Sequence, residues 1–168
     1  MDYHRVMQPL VVLQVLVLLA LANGAPVLAK KIFGARFACP LDFGIRFFDG
    51  RPVFGASKTL RGLALAIFVT ALLAPLIGLD MEIGAAVAAA AMIGDLFSSF
   101  LKRRMNLAPS SQALGLDQVP ESLFPLLVCR DALSLTAIDI AVAVVVFFVA
   151  ELLLSRLLYK LKIRDRPY

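Results

Sequence analysis

The chain has 168 residues, of which 61% are hydrophobic and 17% charged, and its mean hydropathy is +0.87. That composition excludes an ordinary soluble domain. At about 20 apolar residues per crossing there is room for roughly five membrane crossings in one domain, residues 1–168, with no separate soluble domain.

The first apolar run covers residues 6–21 and can continue past Asn23-Gly24 toward Ala29. Further runs follow at 63–79, 83–100, 123–137 and 138–158, which predicts an all-α polytopic membrane protein of five transmembrane helices with two larger cytoplasmic loops. The fourth run is the weakest, because Pro125 interrupts it and Arg130-Asp131 sits inside it. A re-entrant segment there would change the topology of everything after it. In the third run Ala86, Ala90 and Gly94 recur every four residues, a small-residue face that permits close helix approach.

Five crossings place loops 24–62 and 101–122 and the tail from 159 on one side. Of the 17 Lys and Arg residues only Arg5 and Arg130 then lie opposite, which predicts the N-terminus outside and the C-terminus in the cytoplasm. The start of the chain also has the form of a secretory signal peptide, with Arg5, an apolar stretch and small residues at Ala22 to Ala25. Cleavage there would strand the basic 24–62 loop outside, so the segment reads as a retained first span. The net charge of +5 is thereby explained by the cytoplasmic face. The tail cluster Lys160 to Arg166 suits anionic headgroups, and with no aromatic residue interleaved before Tyr168 it does not point to nucleic acid.

The chemistry is concentrated where these loops enter the helices. The stretch from Phe47 through Gly50-Arg51-Pro52 and Gly55-Ala56-Ser57-Lys58-Thr59-Leu60-Arg61-Gly62 is a turn-rich backbone leading into the second span. Ser57 or Thr59 can cap that helix, whose free N–H groups favour an anion, and Lys58 and Arg61 flank the same entrance. A phosphate cradle and an ordinary capped helix with positive-inside charges fit this spacing equally. It is not a Walker A loop, because Ala56-Ser57 separate Gly55 from Lys58. In the third span Asp95 lies one to two turns before the cytoplasmic end, where a bare carboxylate costs on the order of 3 kcal/mol and must face protein, water or a cation. Ser98 or Ser99 and Lys102 or Arg103 share its side of the helix, so an ion pair that supports packing is the simpler alternative. Asp117 before the fourth span reads alone as a helix cap. Beside Asp95, and surrounded by Lys and Arg, it completes an oxygen-ligand site for Mg2+ holding a polyphosphate. Glu151 is ionisable within the last span and can pair with Arg156 or approach an interface. His4, the single histidine, reads as solvated or interfacial, and Cys39 and Cys129 have no metal spacing.

Taken in order, Phe48-Asp49-Gly50-Arg51, Phe54-Gly55, Lys58-Thr59-Leu60-Arg61-Gly62, Gly94-Asp95 to Ser99, Lys102-Arg103 and Leu116-Asp117-Gln118 resemble the archaeal CDP-archaeol synthases. These are small five-span membrane cytidylyltransferases, similar in turn to the phosphatidate cytidylyltransferases. The resemblance covers about residues 47–121. It implies transfer of CMP from CTP to an isoprenoid ether lipid phosphate, unsaturated archaetidic acid, giving CDP-archaeol and pyrophosphate with Mg2+ as cofactor. By the same resemblance Lys58 and Arg61 match the basic motif, Asp95 the metal-binding aspartate and Asp117 its partner. Ser99, Lys102 and Arg103 match the polar and basic positions, and Gly55, Ser57 and Thr59 belong to the nucleotide-binding segment. The bacterial branch has a Lys-Asp pair and a Gly-His-Gly-Gly run after its basic pair, and a further carboxylate three residues after the loop aspartate. Here Pro120 stands at that last position and Glu121 one later, so what carries over is a single Mg2+. The same chemistry on a diacylglycerol phosphate is one alternative; a non-catalytic transporter with a cation site at Asp95 is another.

Overall fold

The computed structural model describes residues 7–108 and 111–162. Five helices form the fold: α1 (Pro9–Phe33), α2 (Leu60–Leu73, continued by a 3-10 turn Ala74–Ile77), α3 (Met81–Arg104), α4 (Gln118–Val128) and α5 (Ala137–Lys160). The described residues include no extended strand, only isolated bridges between Pro40 and Thr59 and between Arg46 and Pro52. His4, Arg5, Arg164 and Arg166 lie outside the described residues.

Side-chain bonds at the helix ends fix the direction of each pass. The Gln8 backbone N–H donates to Asp139 Oδ1 (2.8 Å), and Gln8 Nε2 donates to the Ser134 carbonyl (3.0 Å). At the other end Lys31 Nζ donates to the Lys162 carbonyl (2.9 Å). Helices α1 and α5 therefore run in the same direction. Helix α2 starts beside the end of α1, where Arg61 Nη1 donates to the carbonyls of Gly34 and Arg36. It ends at the level of Gln14, whose Nε2 donates to the Ile77 carbonyl (2.6 Å). The described helices thus run back and forth between the two ends of the bundle, and the described parts of loops 34–59 and 105–117 border one cavity at the same end.

Four of the passes are long and apolar enough to cross a membrane: Pro9–Phe33, Leu60–Ile77, Met81–Arg104 and Ala137–Lys160. Helix α4 is not. The sequence places a fourth span at 123–137, whereas the helix starts at Gln118 and stops at Val128. Its 11 residues cover about 16 Å, short of a bilayer core of about 30 Å. The cause is visible in the packing. The start of α4 is sunk beside Gly94, ten residues before the end of α3, and the chain leaves the helix at Val128 for the turn at 129–135. Arg130 and Asp131 fall in that turn rather than inside a helix. Helix α1 is longer than its apolar run, continuing through Gly24 and Pro26 to Phe33.

The core explains the order of the helices. Val15, Leu18, Leu19 and Ala22 of α1 pack with Val87, Ala88 and Ala91 of α3, Leu126 of α4, and Ala143 and Phe147 of α5. The alanine-rich α3 is central because its small side chains let neighbours approach. A Cβ on Gly84 would lie 2.7 Å from Ala74 Cβ and 2.8 Å from the Thr70 carbonyl oxygen.

Candidate active site

The first loop is organised around a carboxylate. Asp42 accepts from the backbone N–H groups of Gly44 (3.1 Å), Phe54 (3.0 Å) and Gly55 (2.8 Å). Burial opposes its charge, but these donors outweigh it and hold the carboxyl below its ordinary value. Gly55, at φ +96°, makes the turn that accepts the Lys58 N–H (3.1 Å), a conformation that favours glycine. Backbone bonds from Leu41 to the Lys58 carbonyl (2.8 Å) and from Leu60 to the Cys39 carbonyl (3.0 Å) then brace the entrance to α2. Thr59, not Ser57, caps that helix, accepting from the Gly62 N–H (3.1 Å).

A second clamp fixes the loop to α3. Arg104 pairs with Asp49 (2.6 Å), donates to the Pro52 carbonyl (2.6 Å) and lies over the rings of Phe47 and Phe100 at 4.7 and 5.0 Å. Arg51 answers by donating to the Arg104 carbonyl (2.6 Å).

The carboxylates are set by the contact of α3 with α4. A Cβ on Gly94 would lie 2.5 Å from the Pro120 carbonyl carbon and 2.8 Å from the Glu121 nitrogen, so only glycine admits the first turn of α4 here. Asp95 follows at once. Ser98 Oγ donates to the Leu116 carbonyl (2.6 Å), tying the loop before α4 to the same helix. Asp95 receives Lys58 Nζ on both oxygens, at 2.6 and 2.5 Å. Burial pulls Lys58 toward its neutral form, but the Asp95 carboxylate, with Glu121 and Asp117 behind it, outweighs this and keeps the ammonium charged. Asp117 pairs through Oδ1 with Lys102 (2.6 Å) and accepts the Ala113 N–H at Oδ2 (2.9 Å). It stands at the N-cap position of α4 without making a side-chain cap bond, so its role as a simple helix cap is not realised.

These groups border one cavity of about 1100 Å3. Of the residues singled out by sequence, Ser57, Lys58, Thr59, Arg61, Asp95, Ser99, Lys102, Arg103 and Asp117 all line it. Gly55 does not. Its N–H is used by Asp42, so it shapes the turn behind the cavity instead of offering a donor to a ligand. Glu121, given no role from sequence, and Glu151, read there as a partner for Arg156 or an interfacial group, also line the cavity, as do Asn23, Lys30, Lys31 and Lys162. Glu121 carries a signal in its position four residues after Asp117, one helical turn on. Asp42 was missed, although an Asp two residues before Gly44 is a turn signature.

Among the described residues, seven basic side chains against four acidic ones give the cavity wall a formal surplus of three positive charges. Several donors there have no internal acceptor: Nε and Nη1 of Arg103 and Nε of Arg61 are buried without a hydrogen-bond partner. Buried guanidinium donors left this way are costly unless an anion satisfies them. Among the described residues no group of three or more His, Cys, Asp and Glu is arranged to hold a metal. Asp95 and Asp117 both line the cavity, each paired with a lysine, and carboxylate oxygens of this kind are the donors a hard cation takes.

The family profile described as CarS-like: CDP-archaeol synthase matches residues 7–168. The chain belongs to the CDP-archaeol synthase family. Among its relatives, the CDP-archaeol synthase of Pyrobaculum calidifontis is 36% identical over 152 residues, covering 88% of this chain and 90% of that one. That of Sulfurisphaera tokodaii is 33% identical over 153 residues, covering 88% and 89%. A solved structure, described as an intramembrane enzyme for archaeal membrane lipids biosynthesis, superposes with a TM-score of 0.65 at 28% identity, covering 81% of this chain and 89% of that one. With its long apolar helices, this member of the CDP-archaeol synthase family is a multi-pass membrane protein.

Proposed function

We propose that the chain is a lipid-phosphate cytidylyltransferase that transfers CMP from CTP to unsaturated archaetidic acid, releasing pyrophosphate and forming a CDP-archaeol lipid. The observation that carries this reading is the cavity itself. Its surplus of positive charge and its unsatisfied Arg61 and Arg103 donors suit a triphosphate, and all five helices contribute to its lining, so a phosphate carried on a lipid can be met there. The family relationship supports the substrate classes.

In this mechanism an oxygen of the lipid phosphate attacks the α-phosphorus of CTP in line. The bond from that phosphorus to the bridging oxygen breaks, and pyrophosphate leaves with the electron pair. The attacking phosphate is already ionised near neutral pH, so no general base is required. Catalysis rests on positioning and charge neutralisation. Arg61 and Arg103 bind the triphosphate, while Lys58 and Lys102 hold the two carboxylates in place and bring their ammonium groups to the phosphates. Asp95 and Asp117 would hold Mg2+, which supplies further neutralisation of phosphate oxygens when bound. CTP comes from water and the lipid tails stay in the bilayer, so the basic end of the bundle faces the cytoplasm, with the N-terminus outside.

Purified protein with Mg2+, labelled CTP and either an isoprenoid ether or a diacyl lipid phosphate tests the reading. Product is expected with the ether lipid and is lost in Asp95→Asn and Asp117→Asn while both variants remain folded. Full activity in both variants refutes the residue assignment, and preference for the diacyl substrate refutes the lipid assignment.

A further inference from the structure

A second cavity of about 110 Å3 lies between α1 and α5. It is bordered by Ala20, Gly24 and Val27 on one helix and by Ala150 and Leu154 on the other, so it is apolar along most of its length. Gly24 leaves it open, since a Cβ there would meet nothing within 4 Å. Asn23, Val27, Glu151 and Ser155 border both this groove and the large charged cavity, so the two adjoin at a polar end.

The amide of Asn23 is the unusual group. Both Nδ2 and Oδ1 are buried, and neither has a hydrogen-bond partner. The same turn contains a second polar group, because Pro26 has no N–H to give to the carbonyl of Ala22. An amide inside a membrane helix is expected to bond a neighbouring helix, and one that is buried and bonds nothing is costly to keep. An apolar residue would pack better at this position.

We propose that Asn23 is a positioning residue that hydrogen-bonds the glycerol end of the lipid phosphate, with the first part of one isoprenoid chain lying along the α1–α5 groove. The size agrees, since a groove of about 110 Å3 has room for a short stretch of an apolar chain, not for a whole lipid tail. The polarity agrees as well. The lipid's phosphate must reach the basic cavity, its chains must stay among apolar side chains, and its glycerol oxygens fall between the two, at the level of Asn23. This inference rests on the proposed cytidylyl transfer and adds the residues that orient the acceptor.

Three variants of the full-length protein test it: Asn23→Leu, Asn23→Ser and Gly24→Leu. Transfer is measured against lipid-phosphate and CTP concentration in turn, together with CTP affinity and the thermal midpoint without substrates. Asn23→Leu should raise the KM for lipid phosphate about tenfold, the loss of one good hydrogen bond, while leaving the KM for CTP unchanged and raising the Tm. Asn23→Ser, which keeps a donor and an acceptor, should recover part of the loss. Gly24→Leu fills the groove and should raise the lipid KM without altering CTP affinity. A fall in the Tm of Asn23→Leu marks a purely structural amide and overturns the proposal. So does a change confined to CTP, or an unchanged lipid KM in both Leu variants. Absence of transfer by the wild-type protein removes the functional reading and this inference together, whereas active wild type with unaltered variants removes this inference alone.

Discussion

Gly94→Ala tests how the α3–α4 contact sets the site. The new methyl would lie 2.5 Å from the Pro120 carbonyl carbon and 2.8 Å from the Glu121 nitrogen, where ordinary contact begins near 3.4 Å. Both neighbours are backbone in the first turn of α4, so no side chain can swing aside and the helices must part by roughly 1 Å. Overpacking of this kind costs about 1–3 kcal/mol of stability. The larger effect is on catalysis, because Asp95 moves with one helix while Asp117 and Glu121 move with the other. A displacement near 1 Å within a reacting constellation lowers the rate on the order of 100-fold. The assay is CMP transfer from labelled CTP, with unfolding followed by a thiol-reactive dye on the buried Cys129 in a background where exposed Cys39 is Ser. Gly84→Ala is the comparison, since it clashes with Ala74 and Thr70 at the other end of α3. It should lower stability by a similar amount and keep most of kcat. A Gly94→Ala protein with wild-type kcat and CTP affinity would refute the claim that this contact positions the carboxylates.

Two further outcomes follow from the charges of the first loop. Because Asp42 titrates below its ordinary 3.8, its contribution to stability is complete above that value and lost as pH falls through the lower folded one. Asp42→Asn should therefore flatten the acid end of the stability curve in circular dichroism melts between about pH 5 and pH 3, and weaken CTP binding by loosening the 54–55 turn; an unchanged acid limb contradicts it. Lys58 titrates above its ordinary 10.5, so its pairing with Asp95 is fully present below 10.5 and fades only as pH rises through the higher folded value. Lys58→Met leaves a partly buried carboxylate without its ammonium and should cost about 1–3 kcal/mol, a difference constant from about pH 6 to 10 in melts of the two proteins; a gap that closes near neutral pH argues against the pair.

Much of this arrangement was legible from residue order. The four long apolar runs could become little else but membrane helices, and the bias of Lys and Arg to two loops and the tail placed those loops at one end. Position along α3 was enough to align Asp95 with Ser99, Lys102 and Arg103, since a helix repeats every 3.6 residues. Contacts that depend on two distant backbones meeting were not legible. The early start and short length of α4 come from the approach of Pro120 to Gly94, which no local pattern reveals. Gly55 looked like a ligand-facing glycine because its donor's true acceptor, Asp42, lies 13 residues earlier. Asp117 read alone looks like a cap, the commonest use of Asp before a helix, and only its place beside Asp95 argues otherwise; Lys102 and the Ala113 N–H take its oxygens.

On the proposed reading Asp95 and Asp117 serve one divalent cation beside the triphosphate of CTP. The most direct measurement is a crystal structure with CTP and Mn2+ in place of Mg2+, in which the ion is located by its anomalous signal. One peak is expected, bonded to a carboxylate oxygen of each aspartate at about 2 Å and to phosphate oxygens. A bound CTP whose metal lies beyond reach of both aspartates, with Lys58 still clasping Asp95, contradicts it.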